Sequence, residues 1–195
     1  MYPKRLWDVD TTEKIIYLSF DDGPHPVATP FVLDELKKYN AKATFFCIGK
    51  NVDAYPEIYR RILNEGHRAG NHTNNHLNGF RTDDKTYLAD VSVAAGKIGS
   101  GLFRPPYGRL RSSQAKKIHE AMNDPSSKIV MWDILSGDFD TGISNERCLR
   151  NATNKVVNGS IILFHDSEKA LPRLEYTLPR TLLYFSQKGF QFDRL

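Results

Sequence analysis

Residues Ile15–Pro24 have the sequence IIYLSFDDGP. An apolar run rich in β-branched and aromatic residues ends in two adjacent carboxylates, and a Gly-Pro pair then interrupts it. This pattern predicts a buried β-strand that opens at its C-terminal end into a turn. Because neighbouring strand residues point to opposite faces, Asp21 and Asp22 can share one pocket only if the turn bends both toward it. The alternative is a loop with two solvated aspartates, which is common turn chemistry.

Short apolar runs alternate with helical patterns along the rest of the chain. Further strands are expected at 43–48, 102–103, 129–132, 160–164 and 190–192. Helices are expected at 26–39, 54–65, 83–98, 112–122, 145–157 and 178–188. Such alternation is typical of an α/β protein with a parallel sheet, and the length of 195 residues favours one domain spanning 1–195. Because loops after parallel strands gather on one face, the polar groups that follow the strands are expected to converge there.

The charge pattern argues against a nucleic-acid partner. The chain has a formal net charge of +4 and a pI near 9.0, with basic residues spread along the sequence rather than in a long run. No nucleic-acid motif accompanies them. A metal-dependent nuclease or phosphodiesterase remains an alternative, suggested only by the basic pI and by the candidate metal ligands described below. An acidic or neutral polymer substrate fits this charge equally well.

The two cysteines and the N-terminus restrict the environment of the protein only weakly. Cys47 and Cys148 cannot form a disulfide framework, and Cys47 lies in an apolar run typical of a core strand. The stretch Met1–Arg5 leads into charged sequence without the apolar segment of a secretory signal, and no stretch has the length of a membrane anchor. We therefore expect a cytoplasmic protein if the chain is complete, and an extracytoplasmic one if it is trimmed.

Two histidines four residues apart, His72 and His76, lie in a polar, glycine-rich stretch. One helical turn or a compact loop would place both rings on one side. Together with Asp22 they would form a set of two histidines and one carboxylate. Catalytic zinc takes three protein ligands and leaves a position for water, and the same set suits other divalent metals. The polar surroundings and the carboxylate pair at a strand end favour a metal site.

Four groups of residues resemble, in order, motifs of the polysaccharide deacetylase family (NodB homology domain, carbohydrate esterase family 4). They are SFDDGP at 19–24, HTNNH at 72–76, RPPY at 104–107 and LFH at 163–165. The resemblance runs from about Glu13 to the end of the chain. It implies a distorted (β/α) barrel, similar to a TIM barrel, with six to eight parallel strands.

The same resemblance implies a hydrolase that removes acetyl groups from N-acetylated sugars of a polysaccharide or oligosaccharide and releases acetate. Peptidoglycan- or chitin-type N-acetylglucosamine is the implied substrate, and an O-acetyl esterase acting on xylan-type substrates is an alternative. The implied cofactor is a divalent metal, with zinc favoured over cobalt, nickel or manganese. No nucleic-acid or membrane partner is expected, and the protein is expected to be a monomer.

Individual roles are implied by the positions that match the motifs. The implied metal ligands are Asp22, His72 and His76. Catalysis is assigned to Asp21 as general base, His165 as general acid, Arg104 as the residue that orients Asp21, and the backbone N–H of Tyr107 as an oxyanion donor. The implied substrate contacts are Leu163, which would line the pocket for the acetyl methyl group, Phe139 and Pro105.

A further motif departs from the family pattern. That pattern is Asp-x-x-Asp-Trp, whereas residues 135–139 read LSGDF, so that Leu135 replaces the first carboxylate and Phe139 replaces the tryptophan. The resemblance implies that the first carboxylate supports the catalytic histidine. Support of His165 would then fall to Asp138, or else to Asp133 or Asp166. A catalytically weakened relative that binds glycan or metal is therefore the second hypothesis.

Overall fold

The computed structural model describes residues 5–195. Residues 1–4 belong to the N-terminal stretch in which no secretory signal is expected, and they lie outside the described residues. Nine strands form one sheet in this part of the chain. They are β1 Arg5–Leu6, β2 Ile15–Asp21, β3 Thr44–Cys47, β4 Arg68–Asn71, β5 Leu102–Phe103, β6 Lys128–Val130, β7 Ile134–Leu135, β8 Ile161–His165 and β9 Gln191–Asp193.

Helices connect the strands and cover the outer face of the sheet. They are α1 Ala28–Lys38, α2 Gly49–Ala54, α3 Pro56–Asn64, α4 Asp84–Ile98, α5 Ser112–Ala115, α6 Ile118–Met122, α7 Asn145–Thr153 and α8 Leu171–Gln187. A short 3₁₀ turn spans Pro106–Gly108. Among residues 5–195, no helix has both the length and the apolar character needed to cross a bilayer.

The sheet is parallel and curls into a partial barrel. Its strand order is β1-β6-β5-β4-β3-β2-β8-β7, with β9 paired to the first half of β2. All paired strands run parallel, as the alternation of strands and helices predicts. Within the described residues β1 and β7 do not pair, so the barrel is open between them. This confirms the distorted (β/α) barrel, with nine strands rather than six to eight because β1 and β7 are only two residues long and carry little sequence signal.

Alternate residues of the central strands separate the outer core from the barrel interior. Phe20 stacks between Phe45 and Phe164, with ring centroids 5.1 and 5.8 Å apart, and the three rings pack with the helices. Neighbouring residues of the same strands belong to the interior, where Phe46 packs in a second apolar cluster. Because Asp21 follows Phe20, the same alternation turns the Asp21 carboxylate to the interior face.

Several elements differ from the sequence-based expectation. Strand β4 lies in the stretch 66–76, whose glycines and polar residues hide the strand pattern. Helix α2 precedes the predicted helix at 54–65, and the helix predicted at 112–122 is divided into α5 and α6. Helix α8 begins at Leu171 rather than at residue 178. It accommodates Pro172 in its first turn, where no intrahelical N–H bond is lost, and Pro179 in its interior.

Replacing Gly70 with alanine is expected to destabilise the fold. Gly70 lies in β4 beside Phe46 of β3, and a Cβ atom there would approach the Phe46 ring to 2.5 Å. Such overpacking in a close-packed core costs about 1–3 kcal/mol. Gly96→Ala is the matched control, because Gly96 is in helix α4 with no atom within 4 Å of the added Cβ. Urea titration should show a loss of stability for Gly70→Ala and none for Gly96→Ala; equal stability would contradict the prediction.

Candidate metal centre and catalytic cavity

A cavity of about 550 Å³ opens at the carboxyl ends of the parallel strands. The strand-end loops bring together side chains that are far apart in sequence, as the topology of parallel α/β sheets favours. The residues that line it are Asp21, Asp22, His72, His76, Tyr107, Trp132, Leu135, Phe139, Leu163, His165, Ser167, Glu168 and Lys169.

Three of these side chains converge on one point. One ligand atom from each of Asp22, His72 and His76 lies within 4.8 Å of the other two. Asp22 Oδ1 is 3.2 Å from His76 Nε2 and 3.7 Å from His72 Nε2. It is buried and has no hydrogen-bond partner among the described residues. An orphaned buried carboxylate oxygen facing two imidazole nitrogens fits a divalent cation, because the ion would satisfy all three.

The backbone around this cluster adopts left-handed conformations that non-glycine residues rarely take. Asp22 has φ +84°, Thr73 +62° and His76 +56°. The turn at Asp22 brings it to the same cavity as Asp21, which a regular strand would not do. Such conformations cost of order 1 kcal/mol or more and persist where surrounding contacts hold them.

A hydrogen bond beneath the cluster sets the orientation of His72. Its Nδ1 lies 2.7 Å from the carbonyl oxygen of Arg104. Because a carbonyl oxygen only accepts, Nδ1 carries the proton and Nε2 turns its lone pair toward Asp22. Burial, opposed by the charge of Asp21, lowers the pKa of His72 to about 4, so the ring is neutral at physiological pH.

The loop that carries both histidines is anchored by Asp90 of α4, which the sequence reasoning did not identify. Asp90 Oδ2 accepts from the backbone N–H groups of Asn74 and Asn75 at 2.9 Å, and Oδ1 accepts from the Asn75 side chain at 2.6 Å. Asp90 is buried, and an acidic residue in the middle of an otherwise apolar helix face is the sequence signal that could have pointed to it.

Asp21 is held by a fully buried arginine. Arg104 Nη1 donates to Asp21 Oδ1 at 2.8 Å and to Ser19 Oγ at 2.9 Å, and Nη2 donates to the carbonyl of Met131 at 2.8 Å. The guanidinium lies 4.0 Å above the ring of Phe46. Arg104 therefore fills the barrel interior below the cavity and leaves Asp21 Oδ2 directed to the His72 side, 3.7 Å from Nε2.

His165, at the end of β8, is held by Asp138. Its Nδ1 lies 2.8 Å from Asp138 Oδ1, and its backbone N–H donates to Asp138 Oδ2 at 2.7 Å. Burial acts to lower the pKa of His165, but the charge and hydrogen bond of Asp138 outweigh it and raise the pKa to about 9. The ring is therefore protonated at neutral pH, as a proton donor requires.

This geometry decides which carboxylate supports His165, a role for which Asp138 was the first of three candidates. His165 has a carboxylate partner although Leu135 replaces the first carboxylate, because Asp138, the second carboxylate position of the motif, makes the contact. The two other candidates are engaged elsewhere. Asp133 accepts from Ser160 Oγ and from the Ile161 N–H, at 2.7 Å each, and Asp166 from the Gly23 N–H and Thr29 Oγ1, at 3.1 and 2.5 Å.

Leucine and aromatic side chains form one wall of the cavity. Leu135 and Leu163 are register partners in β7 and β8, so they lie side by side on the same face. Phe139 packs edge-on against the His165 ring, with centroids 5.0 Å apart. Trp132, expected to end a strand, lies just after β6 and also lines the cavity.

The turn after β5 places its residues differently from the expectation for Pro105. The carbonyl of Pro105 accepts the Gly108 N–H at 3.0 Å, and Tyr107 inside this turn has φ +59°. Tyr107 therefore reaches the cavity, where its ring lies 4.6 Å from that of His76, whereas Pro105 is buried below and does not line the cavity.

Three further residues of the cavity rim went unnoticed in the sequence. Ser167, Glu168 and Lys169 follow His165 directly and line the mouth of the cavity. Their position immediately after a strand that ends in a candidate catalytic residue was a usable signal, because strand-end loops form the binding face in this architecture. They add polar groups to the lining of the cavity.

The chain is similar in sequence to known polysaccharide deacetylases. Residues 8–124 match the family model described as polysaccharide deacetylase. A peptidoglycan-N-acetylglucosamine deacetylase of Bacillus cereus is 33% identical over 192 residues, which cover 95% of this chain and 88% of that protein. A chitooligosaccharide deacetylase of Azorhizobium caulinodans is 32% identical over 169 residues, covering 81% of this chain and 76% of that protein.

A solved structure agrees over the whole length. It is a peptidoglycan N-acetylglucosamine deacetylase in complex with 4-naphthalen-1-yl-N-oxidanyl-benzamide, with a TM-score of 0.86 at 31% identity. The match covers 100% of this chain and 91% of that one. Other relatives are longer, and this chain spans 56%, 38% and 33% of three of them.

Proposed function

Because the chain belongs to the polysaccharide deacetylase family, we propose that it is a metal-dependent hydrolase that removes acetyl groups from N-acetylated glycans and releases acetate. The observation that carries the proposal is one cavity that holds a candidate metal cluster, a carboxylate tied to a buried arginine and a protonated histidine. Substrates of the peptidoglycan and chitin type are proposed from the relatives, whose names include both classes.

Asp22, His72 and His76 would hold the metal, with zinc the first candidate from the two-histidine, one-carboxylate set. A divalent cation bound there would polarise the acyl carbonyl and lower the pKa of water toward about 7. Asp22 is suited to a cation because its carboxylate stays ionised. Burial acts to raise the pKa of Asp22, but the imidazoles of His76, His165 and His72 outweigh it and hold the pKa well below its ordinary value.

Asp21 and His165 divide the proton transfers. Asp21, oriented by Arg104, accepts the proton of the water that attacks the acetyl carbonyl. The Tyr107 backbone N–H would stabilise the developing oxyanion, a contribution of about 3–4 kcal/mol for one such donor. His165 donates a proton to the leaving nitrogen as the C–N bond breaks, because an amine leaves poorly as its anion. The products are acetate and a free amino sugar.

The second hypothesis, a catalytically weakened relative, was based on Leu135 and Phe139. The contact between Asp138 and His165 weighs against it, because the proton donor keeps its carboxylate partner. Leu135 instead enlarges the apolar wall beside Leu163, which would line the acetyl methyl pocket. The O-acetyl esterase alternative differs in its leaving group. An alcohol leaves more readily than an amine, so its departure depends less on a proton from His165.

The direct test measures acetate release after metal removal and reconstitution. The purified chain is treated with a chelator, reconstituted with zinc, cobalt, nickel or manganese, and given N-acetylglucosamine oligomers, peptidoglycan fragments and O-acetyl xylan. We expect acetate from an N-acetylated glycan only in the reconstituted protein. A metal-loaded protein that releases no acetate from any of these substrates would refute the proposal.

Removing one candidate ligand is expected to abolish tight metal binding. His76→Ala should lower zinc affinity by more than the about 10–100-fold that follows loss of an outer-shell partner, because it deletes a ligand itself. Competition with a chromophoric chelator measures the affinity. His119→Ala is the matched control, since His119 lies on α6 outside the cavity. Unchanged affinity in His76→Ala would refute the assigned ligand set.

A further inference from the structure

A second cavity of about 420 Å³ adjoins the catalytic cavity and shares Tyr107 with it. We call it the flanking cavity, and its walls are Asn78, Phe80, Arg81, Tyr107 and Arg109. The shared residue makes the two cavities neighbours, so a polymer whose reacting unit occupies the first can place an adjacent unit in the second.

The loop that forms the flanking cavity is built rigidly. Buried Gln114 donates through Nε2 to the carbonyl of Gly79 at 2.9 Å, and Arg111 donates to the carbonyl of Phe80 at 2.7 Å. Gly79 packs so closely on the next loop that an added Cβ would lie 2.4 Å from the carbonyl oxygen of Arg109. The two arginine-bearing loops are therefore joined in one fixed arrangement, and a ligand would meet a preorganised surface.

The charge of the flanking cavity is positive and uncompensated. Arg81 and Arg109 form no ion pair with any described residue, and none of the residues lining the flanking cavity is acidic. The nearest acidic residues along the chain are occupied, because Asp83 caps α4 by accepting from the Thr86 N–H and Asp84 lies 3.6 Å from Arg111. Two free guanidinium groups at a pocket attract a carboxylate, which they can bind through paired hydrogen bonds.

Aromatic surface accompanies the charge. Phe80 is 50% exposed and Tyr107 is 61% exposed, which is unusual for side chains of this size on a rigid loop. The guanidinium of Arg109 lies 5.5 Å from the centroid of the Phe80 ring, and this contact orients it. The flanking cavity thus combines apolar faces for a sugar ring with donors for an acidic substituent.

We propose that the flanking cavity is a subsite for a carboxylate-bearing sugar next to the sugar that is deacetylated. The inference rests on the proposed function and narrows its substrate class to acidic glycans, of which a peptidoglycan strand is the chemical type, since the carboxyl group on its alternate sugars is free wherever no peptide is attached. A neutral N-acetylglucosamine polymer lacks the group that Arg81 and Arg109 recognise, so it is the poorer substrate.

The test compares two substrates in one double variant. The metal-loaded wild type and Arg81→Gln/Arg109→Gln are assayed on an N-acetylglucosamine tetramer and on a peptidoglycan tetrasaccharide with free carboxylates. We expect kcat/KM for the acidic fragment to fall about 5- to 30-fold, the upper part of the range for two exposed charge pairs, and that for the neutral tetramer to stay within about twofold. Arg60→Gln on α3, which also lacks an ion pair among the described residues, should change neither value.

Two further arms decide the outcome. In the wild type, amidating the carboxylates of the acidic fragment should remove its advantage in kcat/KM over the neutral tetramer. In the double variant, amidation should have no added effect on kcat/KM. Raising the ionic strength should reduce the same advantage. Equal use of the acidic and amidated fragments by the wild type, or an unchanged preference in the double variant, would overturn the subsite.

Binding separates failure of the subsite from failure of the proposed function. If no substrate releases acetate, calorimetry of the acidic fragment against the wild type and the double variant still tests the flanking cavity. Weaker binding to the double variant by a similar factor would support the subsite although the proposed function had failed. Equal binding would overturn the subsite as well.

Discussion

Replacing His165 with alanine is expected to lower kcat for acetate release by about 10²–10⁴-fold, the range for loss of a general acid. The reason is that the amine leaves poorly unless it is protonated, and His165 is the proton donor that the Asp138 carboxylate holds in the cavity. Stopped assays of acetate release under saturating substrate measure the loss. Zinc affinity should remain close to wild type, since His165 lies outside the candidate ligand cluster. Wild-type kcat in this variant would remove His165 from the mechanism.

The pH profile identifies what supports His165. Its pKa is raised to about 9, so the acid form, and with it the rate, is present at lower pH and is lost as pH rises through that value. Asp138→Asn removes the charge that raises the pKa of His165. The pH at which the rate falls on the alkaline side of the profile should therefore move down toward about 6.5, the ordinary pKa of histidine. A bound cation would lower the pH of this alkaline fall in both the wild type and Asp138→Asn. The difference in that pH between the two proteins is therefore what identifies Asp138 as the support of His165.

A matched carboxylate provides the control for the pH profile. Asp133 bonds Ser160 and Ile161 rather than His165, and Asp133→Asn should leave the alkaline limb in place. An equal displacement in both variants would show that long-range charge, and not the direct contact with Asp138, sets the pKa of His165. Loss of rate at all pH values without displacement would indicate that Asp138 acts only through orientation.

Replacing Arg104 with methionine is expected to lower the free energy of unfolding by about 3–5 kcal/mol. The substitution removes the partner of Asp21 and leaves that carboxylate buried without a cation. It also removes the donors to Ser19 and to the carbonyl groups of Val130 and Met131. Urea denaturation followed by circular dichroism measures the loss.

Two further variants sharpen the test at Arg104. Arg109→Met changes an exposed arginine of the same loop and should cost about 0.5 kcal/mol or less. The double variant Arg104→Met/Asp21→Asn should recover part of the stability, because no uncompensated charge is then left in the interior. Wild-type stability of Arg104→Met would show that the ion pair contributes nothing to the fold.

The sequence predicts those parts of the site whose residues lie close together along the chain. The His72–His76 spacing and the Asp21–Asp22 pair are local patterns, and they pointed to residues that the structure brings together. The partner of His165 is not local, because Asp138 is twenty-seven positions away and competes with two other aspartates. Only the register of β7 beside β8 decides between them, and sequence spacing does not contain that register.

The same distinction applies to Arg104 and to the flanking cavity. A motif could suggest that Arg104 orients Asp21, but not that its side chain is the largest fully buried one and fills the barrel interior. Arg81 and Arg109 carried no signal as a pair, since their relation depends on the contact of Gly79 with the next loop.

By itself, the sequence determined the alternation of strands and helices, the α/β class, the family and the chemical types of the residues gathered at the strand ends. Tertiary structure alone decided which carboxylate meets which histidine, where Pro105 and Tyr107 lie, and how the two cavities adjoin. The physical reason is that hydrophobic periodicity and motif spacing act over a few residues. The geometry of a site is set by packing between segments that the chain brings together only on folding.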